Sequence, residues 1–445
     1  MQTLKGYVAL IALVIIFSQC KKEEAMDFES AKRELNQQQN PPNCKDSLPP
    51  VVMMHGFLAS GDTYAKHFMR FTSNGYCGNR LFSYDWNTLG GGGDVNLLDD
   101  FIDDVLLQTG ATQVNLMGHS AGGGLGYSYL EDATRAAKVA QYVHIGSGVQ
   151  PGPAGPNGEV PTLNLWSDGD EVVAGGDITG ATNVMLSGQD HYQVATSAES
   201  FRAIYKFFNN DEEPQTLDIT QEAVPCVSGK ALTFGENNPV AGATINVFEV
   251  NAATGERIAS SPDTTLIANA GGFWGPIAVK LNSYYEFEVT TTTASDRVVH
   301  YYREPFTRTV SLVYLRTLPP AGSLAGLILA SLPKDDDQTV LAVFSSSQAV
   351  IDARDELTVN GFELATSQYA PASETAIAFF LYDNGDSQSS GNSIATFNAF
   401  PFLAGVDLFF PTNPAGTIAL ELNGRTMNVW NWKSETEGIV VPVFD

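Results

Sequence analysis

The sequence predicts an α/β fold in its amino-terminal half and all-β structure in its carboxy-terminal half, and two observations carry that division. From about residue 51 to 208, short apolar runs alternate with segments of helical periodicity, whereas after about residue 214 the apolar residues recur every second position. A third observation bounds the size. At 445 residues with 41 Gly, 22 Pro and 43% hydrophobic residues, the chain is folded, loop-rich and long enough for two or three domains. Acidic residues outnumber basic ones 50 to 24, giving a net charge of −26. Nucleic acid and anionic bilayer surfaces would be repelled, while a neutral or cationic substrate is compatible. The four Cys, at 20, 44, 77 and 226, include no CxxC pair and no Cys/His group at zinc spacing, so neither structural zinc nor a disulfide-dense scaffold is expected.

The first element is an address. Lys5 precedes an apolar run over residues 7–17, which is too short for the roughly 20 residues that span a bilayer and reads as a signal peptide over residues 1–19. Cys20 directly after it resembles a bacterial lipobox, although Phe17 and Gln19 depart from the usual residues. That resemblance implies a diacylated Cys20 at the mature amino terminus and an exported chain held on the outer membrane by lipid. An ordinary secretory signal with an incidental Cys is the alternative. Lys22-Glu23-Glu24 resembles a surface-export signal of some Gram-negative lipoproteins, and a solvated tether explains it equally; residues 20–43 read as that tether. Export places the rest in an oxidising compartment. Cys44 and Cys77 each precede an apolar strand, at Val51 and Leu81, and parallel pairing of those strands would bring the two Cys together in a disulfide, leaving Cys226 free or buried.

Within residues 44–213 the expected strands begin with Val51-Val52-Met53-Met54, Leu81-Phe82-Ser83-Tyr84 and Val114-Asn115-Leu116-Met117, and continue near 139–145, 162–166 and 183–187. Helices are expected near 62–73, 95–108, from 121, and 198–208. Six strands interleaved with helices imply right-handed βαβ units and a mostly parallel sheet, with function at the carboxyl ends of the strands. There lies Gly118-His119-Ser120-Ala121-Gly122, a G-x-S-x-G pattern between a strand and a helix, where a tight turn can hold a serine nucleophile. A serine hydroxyl needs a base, and the base needs a carboxylate. Of six His, His191 alone follows the last strand of the region, and Asp168 and Asp170 both lie beyond the preceding strand.

In this order the motifs resemble the small class 2 bacterial lipases and esterases of the α/β-hydrolase superfamily. The resemblance implies a catalytic triad of Ser120, Asp170 and His191, with Asp168 a turn residue. It also implies an oxyanion hole of the Phe57 and Ala121 N–H groups, Phe57 following the His55-Gly56 turn. Phe57 and Leu58 would wall the acyl site, and His119 and Tyr192 flank the reacting residues as further substrate contacts. Residues 146–161 are too few for the helical lid that many lipases carry, so the cleft should stand open unless another domain covers it.

Residues 214–318, with Val240-Ala241-Gly242-Ala243-Thr244 and Asn269-Ala270-Gly271-Gly272-Phe273, resemble a transthyretin-like, carboxypeptidase-regulatory-like β-sandwich. Residues 319–445 carry further strand patterns and read as another sandwich or barrel; Trp430, Trp432, Phe409 and Phe410 there fit a core better than an exposed binding face. The combination resembles prokaryotic lipases whose β part shapes a long-chain acyl site. The expected function is a serine ester hydrolase acting on neutral acyl esters without metal or cofactor. A polyester depolymerase, acyltransferase or amidase with the same triad, or a non-catalytic surface-binding lipoprotein, are the alternatives.

Overall fold

The computed structural model describes residues 44–445 apart from 91–92, 292–296 and 398–399. The signal peptide and Cys20 therefore lie outside the described residues. Six parallel strands form the amino-terminal sheet: β1 (Val51–Met54), β2 (Leu81–Tyr84), β3 (Val114–His119), β4 (Val139–Ile145), β5 (Thr162–Trp166) and β6 (Thr182–Met185), in the order β2-β1-β3-β4-β5-β6. Both faces of the sheet are covered, so β1 is apolar throughout and β3 is buried at every position rather than alternating. Val51 and Met53 of β1 join one core with Phe68 and Phe71 of α1 (Ala65–Ser73) and Phe201 and Ile204 of α4 (Ala198–Phe208). Val52 and Met54 join the other, with Leu98 and Ile102 of α2 (Val95–Thr109) and Leu125 and Tyr129 of α3 (Ala121–Leu130).

Local sequence sets the helix limits. The Asp94 carboxylate caps α2 by accepting from Asn96 N–H, and Gly110 at φ 65° ends it in the left-handed conformation that glycine takes without strain. Cys44 and Cys77 are joined as a disulfide, where parallel pairing of Val51 with Leu81 aligns the segments leading into β1 and β2.

The carboxy-terminal half is β, as its period-2 patterning predicts, but its two regions are not separate bodies. An eight-stranded sheet runs through both: Thr244–Val250, Thr264–Ile267, Tyr284–Thr290 and Val299–Arg303 come from the first region, and Leu341–Ser345, Ala378–Tyr382, Leu403–Asp407 and Ile439–Phe444 from the second. The terminal strand Ile439–Phe444 joins them by pairing in parallel with Val299–Arg303 on one side and Leu341–Ser345 on the other. A buried polar network seals the junction. Arg257 binds Glu286 and Glu288, His300 Nδ1–H donates to Glu286, and Trp432 stacks on His300 with ring centroids 4.4 Å apart. Trp430 and Trp432 pack against a buried core and Phe410 is buried, as expected for aromatics at strand spacing.

Candidate active site

The order of strands reverses around β1 and β3, and both release a turn at their carboxyl ends. This is where parallel α/β sheets hold their sites. β3 ends at His119 and α3 starts at Ala121, so Ser120 alone turns the chain. Its φ of 53° is left-handed, a strained state for a residue with a Cβ. The turn is held by Ser120 N–H donating to the Ile145 carbonyl at 2.9 Å and by Ser147 Oγ donating to the Ser120 carbonyl at 2.8 Å. Its glycines are steric requirements. A Cβ on Gly118 would stand 2.3 Å from the Gly122 carbonyl oxygen, and one on Gly122 would stand 2.6 Å from the carbonyl oxygens of both Met54 and His55.

The turn after β1 packs directly on this elbow, since a Cβ on Gly56 would meet Ser120 Cβ at 3.0 Å. Phe57 follows, and among the described residues neither its N–H nor that of Ala121 has an acceptor. The amino terminus of α3 adds its dipole to these donors, a geometry suited to an oxyanion. His55 braces the turn. Its Nδ1–H donates to the Gly56 carbonyl at 2.9 Å, its Nε2 accepts from Trp86 N–H at 3.2 Å, and burial pushes its pKa below the ordinary histidine value. Asn237, from the first β region, inserts behind the same turn and donates to the carbonyls of Ala59 at 2.8 Å and Trp86 at 3.1 Å.

Asp170 and His191 meet, each nearly inaccessible, with His191 Nδ1–H donating to Asp170 Oδ2 at 2.7 Å. The other carboxylate oxygen accepts from Val172 and Val173 N–H at 2.9 Å each, so the Asp170 side chain is fixed on three sides. With Nδ1 carrying the proton, Nε2 keeps its lone pair, and that nitrogen is buried with no hydrogen-bond partner. Asp168 is exposed and accepts from Gly188 N–H at 2.7 Å, fastening the turn that leads to His191. It holds the loop and Asp170 meets the imidazole.

His119 plays a different part from the one expected. Its ring is buried 4.6 Å from that of His191 and its Nε2–H donates to the His191 backbone carbonyl at 2.8 Å, so it supports the histidine turn. Burial, reinforced by His191, pushes its pKa well below the ordinary value, which suits a neutral strut. Tyr192 and Leu58 do line a cavity, joined by Leu89 from the α/β half and by Phe234, Ile328, Phe344, Phe380 and Leu403 from the β half. Phe57 is not among its lining residues. The cavity has a volume of about 100 Å³ and a mostly apolar lining, with Ser60, Thr63, Ser345, Ser346 and the Arg316–Asp62 pair as its polar groups.

No helix interrupts residues 146–161, as the short spacing predicts. The β regions and the short helix α5 (Leu324–Leu329) line the neighbouring cavity, and Phe402 lies over the His191 ring at a centroid distance of 5.9 Å and an interplanar angle of 11°. Phe402, Arg354, Asn237 and Arg316 are invisible to motif reading. Each lies in the β half, where nothing local marks the residue that will touch a site formed by distant positions earlier in the chain.

Comparison with known families bears on this architecture. Residues 49–168 match the model described as alpha/beta hydrolase fold. The amino-terminal half is an α/β-hydrolase fold. Residues 224–320 match the model described as lipase C-terminal domain, and residues 328–445 match a further C-terminal domain model. Solved structures similar to part of the chain include a hydrolase from Thermoplasma acidophilum (19% identity, 37% of this chain and 89% of that one, TM-score 0.29). The naproxen esterase of Bacillus subtilis (14%, 38% and 86%, TM-score 0.30) and a monoacylglycerol lipase of Paleococcus ferrophilus (16%, 37% and 97%, TM-score 0.29) are also similar. Scores this low carry no functional weight.

Proposed function

We propose that the chain is a serine hydrolase of neutral carboxylic esters, acting through Ser120, His191 and Asp170. The observation that carries this reading is the Asp170–His191 pair with an unpaired, buried Nε2, in a sheet whose β3 ends in a serine on a strained elbow. His191 Nε2 removes the Ser120 proton as Oγ attacks the ester carbonyl, and Asp170 stabilises the imidazolium. The Phe57 and Ala121 N–H groups hold the oxyanion. His191 then returns the proton to the departing alcohol, leaving an acyl-serine that water hydrolyses by the same steps in reverse. Among the described residues His191 Nε2 has no hydrogen-bond partner, and a hydrogen bond from Ser120 Oγ is expected to form once substrate is bound.

The apolar cavity beyond Leu58 is the natural place for the acyl chain, a reading supported by the lipase C-terminal domain match over part of its lining. A cavity walled by both halves suits a single acyl chain better than a polymer strand. The same reading keeps Cys20 as a lipid anchor on the outer membrane, supported by the sequence alone; a Cys20→Ser chain should then leave the membrane fraction. The decisive test is labelling with a fluorophosphonate and hydrolysis of a p-nitrophenyl ester series from C2 to C16. Wild type should label and hydrolyse, Ser120→Ala should do neither, and Ala325→Trp, which intrudes on the cavity, should depress long esters while sparing C2 and C4. Equal labelling of wild type and Ser120→Ala would refute the assignment of the nucleophile.

A further inference from the structure

His191 lies in a segment that has almost no regular structure of its own. Between β6 and α4, residues 186–197 contain a single four-residue helical turn, and the imidazole must be held from outside. The α/β half holds the imidazole by the Asp170 carboxylate and its backbone by the His119 Nε2–H on the His191 carbonyl, and it fastens the rest of the segment through Ser167 Oγ on the Gln189 carbonyl and Arg70 on the Thr196 carbonyl. Further restraints come from the region 328–445. Arg354 Nη1 donates to Asp190 Oδ2 at 2.7 Å and to Gln193 Oε1 at 3.1 Å, one residue before and two after His191. Asp190 is itself buried, and its other oxygen accepts from Tyr192 and Gln193 N–H at 2.8 Å each, so Arg354 grips the carboxylate that shapes the turn. Thr196 Oγ1 donates to the Ser347 carbonyl. The ring of Phe402 lies nearly parallel over the imidazole.

Phe402 is held in an unfavourable conformation to do so. Its φ is 73°, a left-handed value that a bulky side chain seldom adopts, and its backbone is pinned on both sides. The N–H donates to the Glu374 carbonyl at 3.0 Å, and its carbonyl accepts from Ile377 N–H at 2.9 Å and Ala378 N–H at 3.1 Å. The strained residue is thus fastened to the edge of the strand Ala378–Tyr382, and its side chain is delivered onto His191.

We infer that Phe402 and Arg354 are positioning residues for the catalytic base, so that the carboxy-terminal β region completes the active site as well as lining its cavity. The inference rests on the ester-hydrolase reading. Phe402 bars the imidazole from swinging off the Asp170 axis, and Arg354 keeps the backbone on either side of it from relaxing. A misplacement of about 1 Å in a base is enough to cost on the order of 100-fold in rate.

The test separates kcat from KM on p-nitrophenyl butyrate, a short ester for which fit to the distal cavity matters little, using the full chain. Phe402→Ala should lower kcat on the order of 10- to 100-fold with KM within about twofold, Arg354→Ala should lower kcat roughly 10-fold, and Phe402→Tyr should retain activity within about threefold. Thermal melting of each variant reports whether it is folded. If Phe402→Ala does not fold, Phe402→Leu, which keeps apolar bulk and removes the flat ring, should show the same loss of kcat. Unchanged or raised kcat in the folded ring-deleted variant overturns the inference, and so does a rise in KM alone, which would make Phe402 a cavity wall. Wild type that hydrolyses the ester beside equally active variants refutes the positioning role only. Wild type that neither hydrolyses esters nor labels at Ser120 overturns both the role and the function on which it rests.

Discussion

The serine elbow and the histidine turn are two halves of one candidate site, built in opposite ways. The elbow is made by its own sequence and its own sheet. Gly118 and Gly122 admit the close backbone approach, the Ile145 carbonyl anchors Ser120 N–H, and every partner lies within β1, β3, β4 and their loops. The histidine turn also needs partners from far along the chain: Arg354 and Phe402, more than 150 residues later, hold it from turns of the second β region, beside Asp170 and His119 of the α/β half. The turn after β1 lies between these extremes, with His55 bracing it from within and Asn237 from the first β region. A nucleophile can therefore be preorganised locally, while its base depends on how the β half docks.

Replacement of Asp170 by Asn tests the part of the site that the α/β half owns outright. With the wrong tautomer favoured on His191, kcat should fall on the order of 10⁴-fold while the fold persists, as steady-state ester kinetics beside circular dichroism would show. A loss below tenfold would mean that Asp170 is not the orienting acid.

Docking of the β half is tested next. Lys230 pairs with Asp85, which also accepts from Gly61 N–H at 2.8 Å and from Tyr314 at 2.9 Å, so removing the cation leaves a buried carboxylate uncompensated. Lys230→Met should cost about 3 to 5 kcal/mol in denaturant unfolding and should reduce activity through the histidine turn before the elbow is disturbed. Burial by itself would raise the Asp85 pKa, but the Lys230 charge and the hydrogen bonds outweigh it and hold the carboxyl below its ordinary value. A carboxylate depressed by folding stabilises the native state above its unfolded pKa, and that contribution disappears as pH falls through the lower folded value. The melting temperature should therefore drop as pH falls below the ordinary carboxylate range, near 4, and an Asp85→Asn chain should show a shallower drop. Identical pH profiles would remove Asp85 from the account.

The disulfide probes the opposite edge, far from both turns. Cys44 and Cys77 are 33 residues apart, and a Cys44→Ala, Cys77→Ala double variant should lose about 2 to 4 kcal/mol of stability with kcat unchanged at moderate temperature. The smallest effect is expected at Asn237. Its loss to Ala strands the carbonyls of Ala59 and Trp86, which costs about 1 to 3 kcal/mol, and it should lower kcat more than it raises KM because the oxyanion turn loosens. If KM alone responds, Asn237 braces the cavity and not the turn.

Much of the α/β half is legible in the sequence because its determinants are local. Apolar runs between helical patterns mark β1 to β6, and G-x-S-x-G marks a turn whose steric demands fall on neighbouring positions. Strand order then leaves His191 and a choice between Asp168 and Asp170. That choice turns on which carboxylate faces the imidazole, and a spacing of two residues in a loop does not say so; the N–H groups of Val172 and Val173 decide it by fixing Asp170. His119 shows the same limit. Its place beside Ser120 suggests contact with substrate, and only the fold shows that its Nε2 meets the His191 backbone carbonyl.

By itself, the sequence determined the parallel sheet, the strained serine elbow, the order of the three candidate catalytic residues and the β character of the second half, since each follows from periodicity or from sterics between close neighbours. Tertiary structure alone decided that the two β regions share a sheet through the terminal strand Ile439–Phe444, that they line the cavity beside Tyr192, and that Phe402 and Arg354 reach the histidine turn. Those contacts join residues far apart in the chain, and their energy comes from burial and pairing that no local pattern encodes.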